Sequence, residues 1–178
     1  MAQTGLGEVK SYPLSDSDIR KILGNDIKII TYPMLGKMRH IDECFDTKGR
    51  CILLFLTMSE TAGHWTCMLK KKKGIEFFDP YGDEPEEQFE DVPKTLLQTL
   101  DQDKPYLTKL MRDSKYPIYY NTYPYQKTKA DLNTCGRHCV VRCLYAPYSD
   151  EKYKKIIDKS GLSPDDFVSG LTYDKLRK

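Results

Sequence analysis

Apolar and polar positions follow two rhythms along the chain. Ile19, Ile22 and Leu23 recur at helical spacing behind Ser15, with Asp18 three residues after it. That pattern predicts a helix with a capping box, closed by Gly24 and Asn25. Ile27, Ile29, Ile30 and Tyr32 predict a short extended piece before Pro33. Residues 34–42 show no clear period, and His40 among them reads as a surface residue. The apolar run Cys51, Ile52, Leu53, Leu54, Phe55 and Leu56 predicts a strand buried on both faces. A loop over 59–63 follows it. Residues 64–69 and 75–79 then predict a hairpin with its turn at the lysines of 70–73. Those lysines read as a solvated hairpin tip, with a nucleic-acid patch as the other reading.

The second half alternates differently. Residues 83–91 are acidic and loop-like. Short helices are predicted over 92–100, with Pro93 in the first turn, and over 106–111. The aromatic, β-prone residues 118–123 predict another strand. A polar lead-in, Asp131, Asn133 and Thr134, runs into an apolar stretch that stops before Pro147. This predicts a helix starting near Cys135, with Asn133 or Thr134 as its N-cap. An amphipathic helix over 151–159 turns Tyr153, Ile156 and Ile157 inward. Ser163, Pro164, Asp165 and Asp166 open a last short helix.

Composition narrows the picture. A chain of 178 residues can bury one core, so residues 13–178 read as one domain behind a loose arm over 1–12. A net charge of +2 gives no bulk argument for nucleic acid or membrane. There is no transmembrane-length apolar run, and residues 1–10 lack the layout of a signal peptide. Six irregularly spaced Cys read as reduced thiols in a reducing compartment.

The candidate chemistry converges on Cys135. A thiol at a helix N-terminus meets free backbone N–H groups and the positive end of the helix dipole, both of which favour the thiolate. Gly136 after it permits close approach of another backbone or a substrate. Cys139 and Cys143 recur every fourth residue and read as a buried stripe. A zinc site made of Cys135, His138, Cys139 and Cys143 is the competing reading.

A thiolate hydrolase also needs a base, an orienting group and oxyanion donors. His64 begins one hairpin strand and Asp79 ends the other, so they are neighbours across the open end of the hairpin. Asp79 accepting from one ring nitrogen leaves the other to face a thiol. Gln126 lies in the segment entering the Cys135 helix, where its amide can serve an oxyanion. Taken singly, these are a structural His, a turn Asp and a surface Gln. His138 rides on the same helix as Cys135 and reads as structural.

The ordered pieces Gly63-His64-Trp65, Phe77-Phe78-Asp79-Pro80-Tyr81-Gly82, Gln126 and Asn133-Thr134-Cys135-Gly136 resemble the adenovirus maturation protease and the SUMO-deconjugating proteases related to it. The Cys-Gly-Arg-His-Cys wording is closer to the proteases of large DNA viruses and virophages. The resemblance implies a papain-like cysteine peptidase of α+β fold with permuted chain order, its central, mostly antiparallel sheet flanked by helices. It implies Cys135 as nucleophile, His64 as base, Asp79 as orienter and Gln126 as oxyanion donor. Trp65 would wall a narrow channel for Gly-containing substrate. No metal or cofactor is implied. The implied partners are virion precursor proteins inside the virion and the host cell interior. A ubiquitin-like modifier is the alternative substrate, and nucleic acid or an activating peptide an additional ligand. A non-catalytic Cys/His binding module is the alternative from another class.

Overall fold

The computed structural model describes residues 2–178. Helices α1 (Ala2–Ser11) and α2 (Asp16–Leu23) lead into strand β1 (Lys28–Thr31). Two 3-10 turns, Tyr32–Lys37 and Ile41–Cys44, occupy the stretch without a period. Strands β2 (Arg50–Ser59), β3 (Ala62–Lys71) and β4 (Gly74–Phe78) follow. Then come α3 (Lys94–Thr99), α4 (Tyr106–Ser114), β5 (Ile118–Tyr120), α5 (Cys135–Leu144), α6 (Asp150–Ser160) and α7 (Pro164–Leu176). The architecture is α+β. Among the described residues, five strands form one sheet in the order β1-β2-β3-β4-β5.

The sheet is mixed, with antiparallel pairing at its centre and parallel pairing at its edges. The β2-β3 and β3-β4 ladders are antiparallel, but both edge strands pair parallel to their neighbours. Both parallel strands are short, and each is joined to its neighbour by a long crossover rather than a turn. Residues 2–11 of the expected loose arm form α1. Its C-terminal end is tied down where Lys10 pairs with Asp166 at 2.9 Å and the Lys10 carbonyl accepts from the Asn133 N–H.

Strand alternation divides the core in two. Leu54, Trp65, Cys67 and Phe78 pack with Cys139, Val140 and Cys143 of α5 and with Tyr153 and Val168. Phe55, Met68 and Phe77 face the other side and pack with Tyr32, Phe89 and Leu107. Buried on both faces, β2 shows why its sequence is continuously apolar. The lysine turn is tighter and less free than expected: Lys70 pairs with Asp42 and Lys71 with Glu76, each at 2.5 Å.

Near the site the hairpin is distorted. The β2-β3 register slips between Leu56 and Ser59. The expected loop over 59–63 shrinks to a turn, with Ser59 opposite Ala62. Gln102 caps the irregularity, accepting from the Leu56 N–H at 3.1 Å and donating to its carbonyl at 2.7 Å. Gly63 is dictated here, because a Cβ would fall 1.8 Å from the Phe55 carbonyl oxygen.

Helix α5 is a buried strut. All residues from Gly136 to Cys143 are buried, two arginines among them. Arg142 forks onto Glu76 at 2.8 and 2.9 Å and donates to the carbonyls of Tyr145 and Tyr148. The predicted cap differs in chemistry. Thr134 stands at the N-cap, but its hydroxyl donates to Asp165 Oδ1 at 2.6 Å instead of accepting from the helix.

Candidate active site

The register carries His64 and Asp79 together. Cys67 opposes Phe78, so Asp79 lies one step beyond the paired end of β4, diagonal to His64. His64 Nε2 donates to Asp79 Oδ1 at 3.0 Å. That leaves Nδ1 for a second partner, and Cys135 lines the same groove as His64, whose ring lowers the thiol. The backbone N–H groups of Trp65 and Gly136 also lower the Cys135 thiol.

Asp79 is fully buried and held from every side. Oδ1 also accepts from the Tyr81 N–H at 2.7 Å, and Oδ2 accepts from Gln88 Nε2. Asn121 clasps its backbone, accepting from the Asp79 N–H at 2.9 Å and donating to the Asp79 carbonyl at 2.6 Å. Tyr81 stacks on His64, with ring centroids 4.8 Å apart and planes inclined by 20°. The imidazole is therefore fixed in tilt by a ring and in azimuth by a carboxylate.

The electrostatics favour an ion pair. Burial opposes charge on His64, but the Asp79 carboxylate, with a smaller contribution from Cys135, pushes it up to about 10. Burial likewise opposes the Cys135 thiolate, but the His64 ring and the two backbone N–H groups hold the thiol below its ordinary value. Cys44, Cys51, Cys67, Cys139 and Cys143 are all shifted the other way, chiefly by burial for Cys44, Cys51, Cys67 and Cys139 and by the Cys67 thiol for Cys143. Among the described cysteines, only Cys135 is lowered.

Cys135, His64 and Gln126 line one groove of about 450 Å³, together with Gly63, Tyr81, Gln88 and Asn133. Gln126 reaches it from a buried position. Its Nε2 donates to the Tyr81 hydroxyl at 3.2 Å and, more weakly, to the Leu132 carbonyl at 3.5 Å. The expected donor is thus in the groove but engaged with the protein, and an oxyanion would have to draw it away. Gln88 also lines the groove, but its amide is committed to Asp79.

The expected role of Trp65 needs correction. Consecutive strand residues face opposite ways, so with His64 toward the groove the Trp65 ring turns into the core. It is 7 % exposed and does not line the groove. A Cβ on Gly136 would meet its Cδ1 at 3.1 Å and Leu14 Cβ at 3.2 Å, so Gly136 lets α5 close on this ring. The backbone N–H of Trp65, not its ring, is among the groups that lower the Cys135 thiol.

The four candidate zinc ligands do not converge. His138 Nε2 is 3.0 Å from Asp165 Oδ1, and Cys139 Sγ donates to the Trp65 carbonyl. Among the described residues, no group of three or more His, Cys, Asp or Glu could hold a metal ion. Sequence reasoning missed Tyr81, Gln88, Asn121 and Asp165. Tyr81 had a signal, being fixed by its turn beside Asp79. Gln88 follows Asp79 by nine residues, whereas Asn121 and Asp165 are brought in by a loop and a helix distant in sequence. Asp165 is a hub that receives the Thr134 hydroxyl, the His138 ring and the Lys127 N–H.

Among the described residues, no helix is long and apolar enough to cross a membrane. No protein-family model matches the chain. It is 35% identical over 173 residues to "Uncharacterized protein V9" of Sputnik virophage, and the match spans 93% of this chain and 98% of that relative. The chain belongs to the family of this virophage protein.

Proposed function

We propose that this chain is a cysteine endopeptidase with a papain-like site in permuted order, of the adenovirus-protease and SUMO-protease type. Its task in this reading is to mature viral precursor proteins at Gly-containing sites, within the virion and the host cell interior. The observation that carries the reading is the Cys135–His64–Asp79 relay opening on one groove, with the thiol lowered and the imidazole raised. The virophage relative supports the viral setting, and six free cysteines suit a reducing interior. The preference for Gly is carried by the resemblance of the ordered motifs, since the Trp65 ring is not a groove wall.

The chemistry follows from the pair. The Cys135 thiolate attacks the substrate carbonyl carbon, and the charge that develops on oxygen is met by the Cys135 N–H at the start of α5 and by Gln126 Nε2. Imidazolium His64 gives its proton to the leaving amine as the carbon–nitrogen bond breaks, leaving a thioester on Cys135. Neutral His64 then takes a proton from water, whose oxygen attacks the thioester and releases the acid and free thiolate. Asp79 keeps the ring oriented throughout.

The test offers two substrate types to the purified chain at equal concentration. One is extended peptides with internal Gly-containing sites, and the other is ubiquitin-like domains fused through their C-termini. Cleavage of the peptides, abolished in a folded Cys135→Ala variant, is expected. Cleavage of the fusions alone would replace maturation with deconjugation, and turnover by Cys135→Ala would end the peptidase reading.

A further inference from the structure

The groove that receives Cys135 has one wall of a single sign. Asp83, Glu87 and Asp91 line it, and among the described residues no lysine or arginine does. No side chain among the described residues pairs with the carboxylate of Asp83 or of Asp91. Glu87 commits one oxygen to the Glu84 N–H and meets no cation. This negative wall stands on a chain whose net charge is +2, so it is a local arrangement and not a reflection of the whole.

A second feature of the groove points the same way. Gln88 and Gln126 both line it, and in each the amide oxygen Oε1 is buried without a partner. Their orientations are fixed by chemistry. Gln88 must present nitrogen to the Asp79 carboxylate, and Gln126 must present nitrogen to the Leu132 carbonyl. Gln126 is only 3% exposed, so its free oxygen is an acceptor that nothing in the fold satisfies. Three carboxylates thus stand on the groove, two partnerless amide oxygens lie buried beneath it, and the titratable donors that line it, His64, Tyr81 and Cys135, belong to the catalytic arrangement. Repulsion is already felt there: burial, with Asp79 and Glu87, raises Asp83 above the ordinary carboxylate value.

We propose that the wall formed by Asp83, Glu87 and Asp91 selects substrates that carry Lys or Arg beside the bond attacked by Cys135. The proposal builds on the peptidase reading and adds the substrate class. A basic side chain entering the groove brings both N–H donors and a positive charge to the uncompensated carboxylates.

The test separates binding from cutting. Three fluorescent peptides share one Gly-containing site and differ only in flanking lysines, alanines or glutamates. Their binding to the full-length Cys135→Ala protein is read by anisotropy. The lysine peptide is expected to bind about tenfold tighter than the alanine peptide, with the glutamate peptide weakest, as a few partly exposed ion pairs allow. The gap should narrow at high salt. Adding Asp83→Lys and Asp91→Lys should invert the order, and Asp83→Asn, a milder change, should narrow it. Equal binding by all three peptides, or binding by none, overturns the proposal. A lysine peptide that binds yet is not cut by the wild-type chain would end the peptidase reading while the cation site stands. Cutting at equal rates whatever the flanking charge would overturn the site and leave the peptidase reading intact.

Discussion

Replacing Asp79 separates what its carboxylate does for the fold from what it does for His64. Asp79→Ala strands the Tyr81 N–H and the Gln88 amide, both of which now donate to it. Each buried donor left without an acceptor costs about 1–3 kcal/mol, so the variant should lose about 2–6 kcal/mol. Asp79→Asn behaves differently. Its oxygen can stay with Tyr81 and His64, while its new amide nitrogen faces Gln88. Rotation of the Gln88 amide would turn its partnerless oxygen onto that nitrogen, so the cost falls to about 1–2 kcal/mol for charged bonds made neutral. The charge on His64 is what Asn cannot hold. In the wild-type chain the raised His64 contributes stability that is fully present below its ordinary 6.5 and is lost as pH rises through about 10. The difference in urea stability between wild type and Asp79→Asn should therefore be largest near the acid end of that window and shrink toward pH 10. In parallel, the pH midpoint for alkylation of Cys135 by iodoacetamide should move up, because the imidazolium that lowers the thiol is depleted. Peptidase activity should fall, yet stay above that of His64→Ala. An alkylation midpoint unchanged in Asp79→Asn would refute the view that this carboxylate sets the charge of His64. Equal destabilisation by Ala and Asn would refute the Gln88 rotation.

Gln126→Ala should slow the acylation rate about 10²–10³-fold with little change in peptide binding, as loss of one oxyanion donor does; single-turnover kinetics would show it, and an unchanged rate would assign the donor elsewhere. Glu76→Ala leaves Arg142 charged and buried in the middle of the strut, so urea unfolding should report a loss of about 3–5 kcal/mol, the cost of breaking a buried pair from one side. Paired replacement by Glu76→Leu and Arg142→Met should recover much of it.

Local signals carried much of this molecule. Ser15 and Asp18 form the expected capping box, and Ser163 caps α7 as its Ser-Pro-Asp-Asp start implies. The hairpin placed His64 beside Asp79 because antiparallel geometry leaves little choice. What failed to show was set by contacts distant along the chain. The sequence of α1 carries two glycines and gives no helical face; its end is fixed by Asp166 and Asn133, more than a hundred residues away. The aromatic residues of β5 marked a strand but could not give its direction, which follows from the crossover. Trp65 was misplaced because a motif lists neighbours in sequence, whereas a strand sends neighbours to opposite faces. Gln88 and Asn121 looked like any polar loop residues until Asp79 gave them a partner.

The three bonds that Asp165 receives have a consequence for how the chain would lose function. Asp165 opens the last helix, yet it holds Thr134, the residue directly before Cys135, and His138 one turn beyond. The nucleophile is thereby latched from a helix that shares no ladder bond with the sheet, and proteins open locally in units smaller than the whole fold. An excursion that lifts α7 away removes the support of the α5 N-terminus without disturbing a single ladder bond of the sheet. Inactivation and unfolding then become separate events, and the exchange of the α7 amides, not the melting of the sheet, sets how long the site stays competent.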